Sequence, residues 1–164
     1  MKEIKKIAVA GAGSMGLGIA QVFAQAGYQV IMFDVNTVQL DKAKQEIENN
    51  LTAAVVKNKI SEGDKKSCLA QLTYTTDCTN LIADLVVEAV VEKLEVKRDL
   101  FLQLAVINSP ETILATNTSS LPITRIAKNI TNPERVIGMH FFNPAHLMKL
   151  VEVISGAETS VTVA

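Results

Sequence analysis

An imidazole oriented by a carboxylate is the simplest device with which a protein moves one proton near neutral pH. One of the two histidines in this chain, His140, ends an apolar run in the segment His140-Phe141-Phe142-Asn143-Pro144. Twelve positions later Glu152 closes Met148-Lys149-Leu150-Val151-Glu152, which reads as a returning strand. Near the other end of the chain, Gly11-Ala12-Gly13-Ser14-Met15-Gly16 offers a second kind of chemistry. Between a strand and a helix, glycines at this spacing allow a tight turn (Gly11), backbone approach to a pyrophosphate (Gly13) and close helix–strand contact (Gly16). The helix start then presents unpaired N–H groups and the positive end of its dipole to the phosphates.

Asp34 ends the next apolar run, 18 positions after Gly16. There a carboxylate accepts hydrogen bonds from an adenosine ribose and repels a 2′-phosphate, so NAD is expected rather than NADP. Proton transfer at His140 joined to nicotinamide chemistry points to a dehydrogenase. Asn117-Thr118-Ser119-Ser120 follows another apolar run. Its short polar side chains suit either contact with a carbonyl oxygen or nicotinamide carboxamide, or turn formation and capping of a helix after Pro122.

Alternating strands and helices must position these groups. Buried strands are expected at Ile7–Ala10, Val30–Phe33 and Leu85–Val87, with shorter ones at Leu72–Thr75 and Thr112–Ala115. The helix after the glycine loop carries Ile19, Val22, Phe23 and Ala26 on one face and stops at Gly27. A long helix from Thr37 carries Leu40, Ala43, Ile47, Leu51 and Val55, then dissolves in the polar stretch around Ser61–Asp64. A further helix has the stripe Val96, Leu100, Leu104, Ile107 and is broken by Pro110; Ile123–Ala127 is a short one. Val136–Phe142 and Leu150–Ile154 complete the set. Repeated β-α units of this kind imply right-handed crossovers and an α/β fold: a Rossmann-type, doubly wound, mainly parallel sheet over residues 1–164. Ligands bind beyond the carboxyl ends of strands in such sheets, and Gly11, Asp34, Glu88, Asn117 and His140 all follow or end expected strands.

With a net charge of −1, the 164-residue chain has no basic footprint for nucleic acid or an anionic membrane. No apolar run approaches a membrane span, and Met1-Lys2-Glu3 runs into the first strand with no room for a signal peptide. A cytoplasmic location is expected, with Cys68 and Cys78 as reduced thiols outside any metal-ligand spacing.

Four segments together resemble the L-3-hydroxyacyl-CoA dehydrogenase family. They are Ala10–Gly16, Val87-Glu88-Ala89-Val90-Val91-Glu92, Asn117–Leu121, and His140–Pro144 with Met148–Glu152, in order and at the family's spacing. The likeness is strongest to its bacterial 3-hydroxybutyryl-CoA branch. It implies NAD as cofactor, bound by Gly11, Ala12, Gly13, Ser14, Met15, Gly16 and Asp34, and an acyl-CoA substrate. It implies His140 as the general base that takes a C3 hydroxyl proton, Glu152 as its orienting carboxylate, and Ser119 as a partner of the substrate oxygen and the cofactor. Asn143 is placed near the nicotinamide, Glu92 and Lys97 on the ribose and nicotinamide side, and Lys57 near the coenzyme A phosphates. Simpler roles exist for some of these: first-turn charges on a solvated helix face for Glu92 and Lys97, and a solvated basic patch for Lys57 with Lys59, Lys65 and Lys66. His146 departs from the small or proline residue the family places there and is taken as incidental.

The family's helical C-terminal domain, which supplies dimer contacts and part of the acyl-CoA cleft, has no counterpart after Glu152, so this chain is read as the NAD-binding domain alone. A non-catalytic NAD(H)-binding module is the competing reading, and another Rossmann dehydrogenase acting on a β-hydroxyacid is a third.

Overall fold

The computed structural model describes residues 3–164. Seven strands form one sheet: β1 (Lys6–Ala10), β2 (Gln29–Phe33), β3 (Leu72–Thr75), β4 (Leu85–Glu88), β5 (Ile113–Thr116), β6 (Val136–Phe141) and β7 (Val151–Ser155). Their order is β3-β2-β1-β4-β5-β6-β7, with all neighbours parallel except the antiparallel pair β6–β7. The helices are α1 (Ser14–Gln25), α2 (Thr37–Val56), α3 (Glu62–Ala70), α4 (Leu94–Ile107) and α5 (Ile123–Ala127). The Rossmann-type architecture expected from the sequence is the one found. Among the described residues no helix is long and apolar enough to cross a membrane.

The central strands are apolar on both faces because both are covered. Ile7 and Val9 of β1 point into a core with Ile19 of α1 and Leu40, Ile47 and Leu51 of α2. Ala8 and Ala10 face the other way, into a core with Phe101 and Leu104 of α4 and Ile126 of α5. The chain winds outward from β1 through β2 and β3, then returns to add β4 on the opposite side of β1. This reversal opens a crevice between the loops after β1 and β4, where ligands bind in such sheets.

Two glycines make that crevice possible. Gly11 has φ +107° and lies so near the loop after β4 that a Cβ would stand 2.5 Å from the Ala89 carbonyl oxygen. A Cβ on Gly16 would stand 1.8 Å from the Gly11 carbonyl oxygen. At Gly13 a Cβ would meet nothing within 4 Å.

The structure corrects the expected course in three places. The polar stretch after α2 is the helix α3, begun by a capping box in which the Ser61 hydroxyl accepts from Asp64 N–H and the Asp64 carboxylate accepts from Ser61 N–H. These bonds hold the Asp64 carboxyl below its usual range. α2 ends at Val56, with Lys57 as its C-cap, because Asn58 turns into the left-handed region at φ +53°. In α4 the buried face is Lys97, Phe101, Leu104 and Ala105 rather than the expected stripe, and Val96 is exposed. In α1, Leu17, Ala20, Gln21 and Ala24 are buried with Ile19, whereas Ala26 is exposed, because the helix lies in the angle between the sheet and α2.

The glycine contacts carry a testable difference. Gly16→Ala should lower stability by several kcal/mol, because backbone must move. Gly13→Ala should stay within about 1 kcal/mol of the parent. Chemical denaturation of the two variants measures both, and equal losses would show that close packing is not what Gly16 supplies.

Candidate active site

A groove of about 780 Å³ lies beyond the carboxyl ends of β1, β2 and β4, within the size range of small-molecule sites. Gly11, Gly13, Ser14, Met15 and Asp34 form one wall; Ala89, Val90, Val96 and Leu100 line the other. Asp34 is held from two directions: Oδ2 accepts from Ala12 N–H at 2.9 Å and Oδ1 from Asn36 N–H at 3.0 Å. Gln39 of α2 donates to the Ala12 carbonyl at 2.9 Å, so the glycine loop is tied on both sides. α1 has no side-chain N-cap and no acidic residue in its first turn, and its first bond runs from Leu17 N–H to the Gly13 carbonyl. Its leading N–H groups therefore have no acceptor among the described residues. A helix start of this kind fits a pyrophosphate, and the open space at Gly13 and the fixed carboxylate beyond it fit the rest of a dinucleotide.

Met15, Ala89 and Val90 continue from this groove into a cleft of about 330 Å³ that Glu92, Lys97, Asn117, Ser119, His140 and Asn143 also line. Ser119 and His140 are shared in turn with a third depression of about 350 Å³, to which Glu152, Thr124 and Ser155 contribute. The three form one continuous path along the carboxyl edge of the sheet.

His140 and Glu152 sit where the second cleft meets the third. β6 and β7 are registered so that His140 stands directly opposite Glu152, and His140 Nδ1 lies 2.9 Å from Glu152 Oε2. The Phe142 ring covers the imidazole with centroids 4.7 Å apart. With Nδ1–H given to the carboxylate, the neutral imidazole carries its lone pair at Nε2. Asn117 secures the strand that carries it: its side-chain oxygen accepts from Phe141 N–H at 2.8 Å, and its own N–H donates to the Glu88 carbonyl at 2.8 Å.

Beneath the second cleft is a charged network. Glu88, the last residue of β4, is 0% exposed and Lys97 is 1% exposed. Lys97 Nζ lies 2.7 Å from Glu88 Oε1 and 3.1 Å from Glu92 Oε2. Glu88 also accepts from Val90 N–H and the Thr116 hydroxyl, each at 2.7 Å. Glu92 accepts from the hydroxyls of Thr118 and Ser120. Burial pushes the Glu92 carboxyl up, but the Thr118 hydroxyl and the Lys97 charge outweigh burial and hold it below the ordinary value.

Most residues singled out in the sequence thus converge. Gly11, Gly13, Ser14, Met15 and Asp34 line the groove, and Glu92, Lys97, Ser119, Asn143 and His140 line the cleft beside it, with Glu152 behind His140. Ala12 and Gly16 are buried beneath the loop. Lys57 stands apart, exposed at the end of α2 and outside all three depressions. Lys97 is not a charge on a solvated face. In the Asn117–Ser120 segment Thr118 makes the turn, accepting from Ser120 and Leu121 N–H groups. α5 has Pro122 at its N-cap and no side-chain cap, so the capping role drops out. Sequence reasoning placed Glu88 at a strand end beside the site and Thr118 in the Asn117–Ser120 segment, but it missed Thr116 and the buried network that joins Glu88 to Lys97. The available signal was an acidic residue ending an otherwise apolar central strand.

Comparison with known proteins adds a family. Residues 6–164 match the family described as 3-hydroxyacyl-CoA dehydrogenase, NAD binding domain. The chain is 48% identical over 164 residues to the 3-hydroxyadipyl-CoA dehydrogenase of Escherichia coli (strain K12), covering 99% of this chain and 34% of that protein. It is 46% identical over 159 residues to the probable 3-hydroxybutyryl-CoA dehydrogenase of Bacillus subtilis (strain 168), covering 96% of this chain and 55% of that protein. The crystal structure of 3-hydroxybutyryl-CoA dehydrogenase from Escherichia coli K12 superimposes with a TM-score of 0.97 at 47% identity, over 99% of this chain and 34% of that one. The chain therefore spans between a third and just over half of the length of these relatives.

The buried network has a stability consequence. Lys97→Met leaves Glu88 as an enclosed carboxylate without its counter-charge, and a loss of about 3–5 kcal/mol at neutral pH is expected. Urea denaturation of the variant measures it. A loss below about 1 kcal/mol, the range of an exposed ion pair, would contradict the burial of the pair.

Proposed function

The chain belongs to the family of 3-hydroxyacyl-CoA dehydrogenase NAD-binding domains, and on that premise we propose that it is the cofactor-binding part of an enzyme interconverting (3S)-3-hydroxyacyl-CoA and 3-oxoacyl-CoA. Short-chain substrates of the 3-hydroxybutyryl-CoA type are favoured by the names of several relatives. Those relatives extend well beyond the stretch matched here. The remainder of such an enzyme would complete the acyl-CoA cleft and form dimer contacts, so the chain alone is proposed to bind NAD with little or no turnover.

NAD, when bound, would supply the hydride acceptor or donor of its nicotinamide ring, and residues of this chain would hold it and handle the proton. The α1 N-terminus and the Gly11–Gly16 loop hold the pyrophosphate, and Asp34 accepts ribose hydroxyls. Glu92, Lys97 and Asn143 line the nicotinamide end. Ser119, whose hydroxyl has no partner among the described residues, donates to the substrate oxygen at C3. His140 takes the hydroxyl proton at Nε2 in the oxidative direction and returns it in the reductive one. Glu152 fixes the ring through Nδ1 and stabilises the imidazolium once the proton has arrived. Lys57 is assigned to the coenzyme A phosphates on family resemblance alone. A cleft closed on one side only excludes water poorly and aligns the reactants poorly, which is the physical reason to expect weak turnover.

The observation that carries this reading is that His140, held by Glu152 at 2.9 Å, lines the same cleft as the glycine loop's Met15. The test is acetoacetyl-CoA-dependent oxidation of NADH by the chain, alone and mixed with the remaining segment expressed from a relative. Activity is expected on mixing, and His140→Ala should lower it by about 10²–10⁴-fold while NADH binding persists. Tight NADH binding with no turnover in either setting would favour the non-catalytic binding module.

A further inference from the structure

Glu88 is left without a role by the proposed function, although it is the most enclosed ionisable group beside the cleft. Burying a carboxylate is expensive unless its charge is compensated, and Lys97 paired with Glu92 alone would already make a neutral unit. Adding Glu88 changes the sum: two carboxylates and one ammonium leave a net charge of −1 under the cleft. Both carboxylates receive donors on their oxygens, three on Glu88 and three on Glu92, an arrangement suited to the ionised form.

Resting on the cofactor reading above, we infer that Glu88 is a specificity-determining residue that makes the floor of this cleft anionic and so raises the affinity for the oxidised, cationic nicotinamide ring relative to the reduced, neutral one. The sign does not depend on where in the cleft the ring sits, because a negative charge lowers the potential at every nearby point. The low dielectric of a buried site preserves the effect against screening by salt. The other ionisable pair on the cleft, His140 with Glu152, acts equally with and without Glu88. Asp34 and Asp99 line the neighbouring groove assigned to the adenosine end.

The network also supplies a clean perturbation. In Glu88→Gln the side-chain oxygen keeps the Lys97 and Val90 donors, and the new NH₂ faces the Thr116 hydroxyl, which turns to accept. Charge is removed while shape and each of the three heavy-atom contacts of Glu88 are retained. Glu92→Gln removes the same charge from a half-exposed position and serves as a second variant should Glu88→Gln fold poorly. Calorimetric titration of the 164-residue chain with NAD⁺, NADH and ADP-ribose at one fixed pH separates the possibilities. The ratio Kd(NAD⁺)/Kd(NADH) should rise about tenfold in Glu88→Gln and move the same way in Glu92→Gln. That is about 30 mV in the potential of a two-electron couple. ADP-ribose, which lacks the ring, should bind Glu88→Gln as it binds the parent. An unchanged ratio, including equal weakening of both nicotinamide forms, overturns the inference and leaves the cofactor reading standing. Failure of the parent chain to bind any of the three ligands overturns both.

Discussion

The burial of one carboxylate, with donors on both of its oxygens, organises this edge of the sheet. Glu88 ends the central strand, and its two oxygens gather Lys97 from α4, the Val90 amide from the following loop and Thr116 from β5. Lys97 passes the constraint to Glu92, and Glu92 to the hydroxyls of Thr118 and Ser120. The loops after β4 and after β5 are thereby tied to one another. The Glu88 main chain extends the same constraint: its carbonyl holds Asn117, and Asn117 holds the strand that carries His140. Position, rather than solvation, explains a charge in so dry a place.

The glycine-loop groove and the His140–Glu152 pair share this edge, and the reversal of strand order accounts for the groove. Between β1 and β4 the loops part, and the glycines allow them to approach without filling the crevice. The α1 start, with spare N–H groups of the kind that suit a phosphate, opens into that crevice. The His140–Glu152 pair stands two strands further along, where β6 turns back as β7 and sets the two residues opposite each other. A parallel sheet aligns the carboxyl ends of strands drawn from all parts of the sequence, so residues 11 and 140 come to border one path.

Much of this was legible in the amino-acid sequence, for identifiable reasons. Fully buried parallel strands read as short apolar runs, and Gly11-x-Gly13-x-x-Gly16 followed by Asp34 carries its own structural context. What escaped depended on contacts between distant segments. Lys97 was counted among polar positions, which rotated the expected buried face of α4 by one residue; the Glu88 counter-charge that lets a lysine point inward is nine positions away and on another element. α3 escaped because its face is largely polar, although Ser61 and Asp64 stood at capping-box spacing. The His140–Glu152 pairing was suggested by residue type, but its register is set by the antiparallel return of β7, which no spacing rule fixes across so long a connection. Lys57 shows the opposite case: an assignment carried by resemblance alone found no supporting geometry.

The central claim is that the glycine-loop groove and the His140–Glu152 pair belong to one site. Nitrogen NMR of the His140 imidazole during titration with NAD⁺ and with ADP-ribose tests it directly. NAD⁺ should shift the ring resonances of His140 together with the amide of Gly13, whereas ADP-ribose should shift Gly13 and leave His140 unchanged. Saturation of the Gly13 response by NAD⁺ with no response at His140 would contradict a shared site.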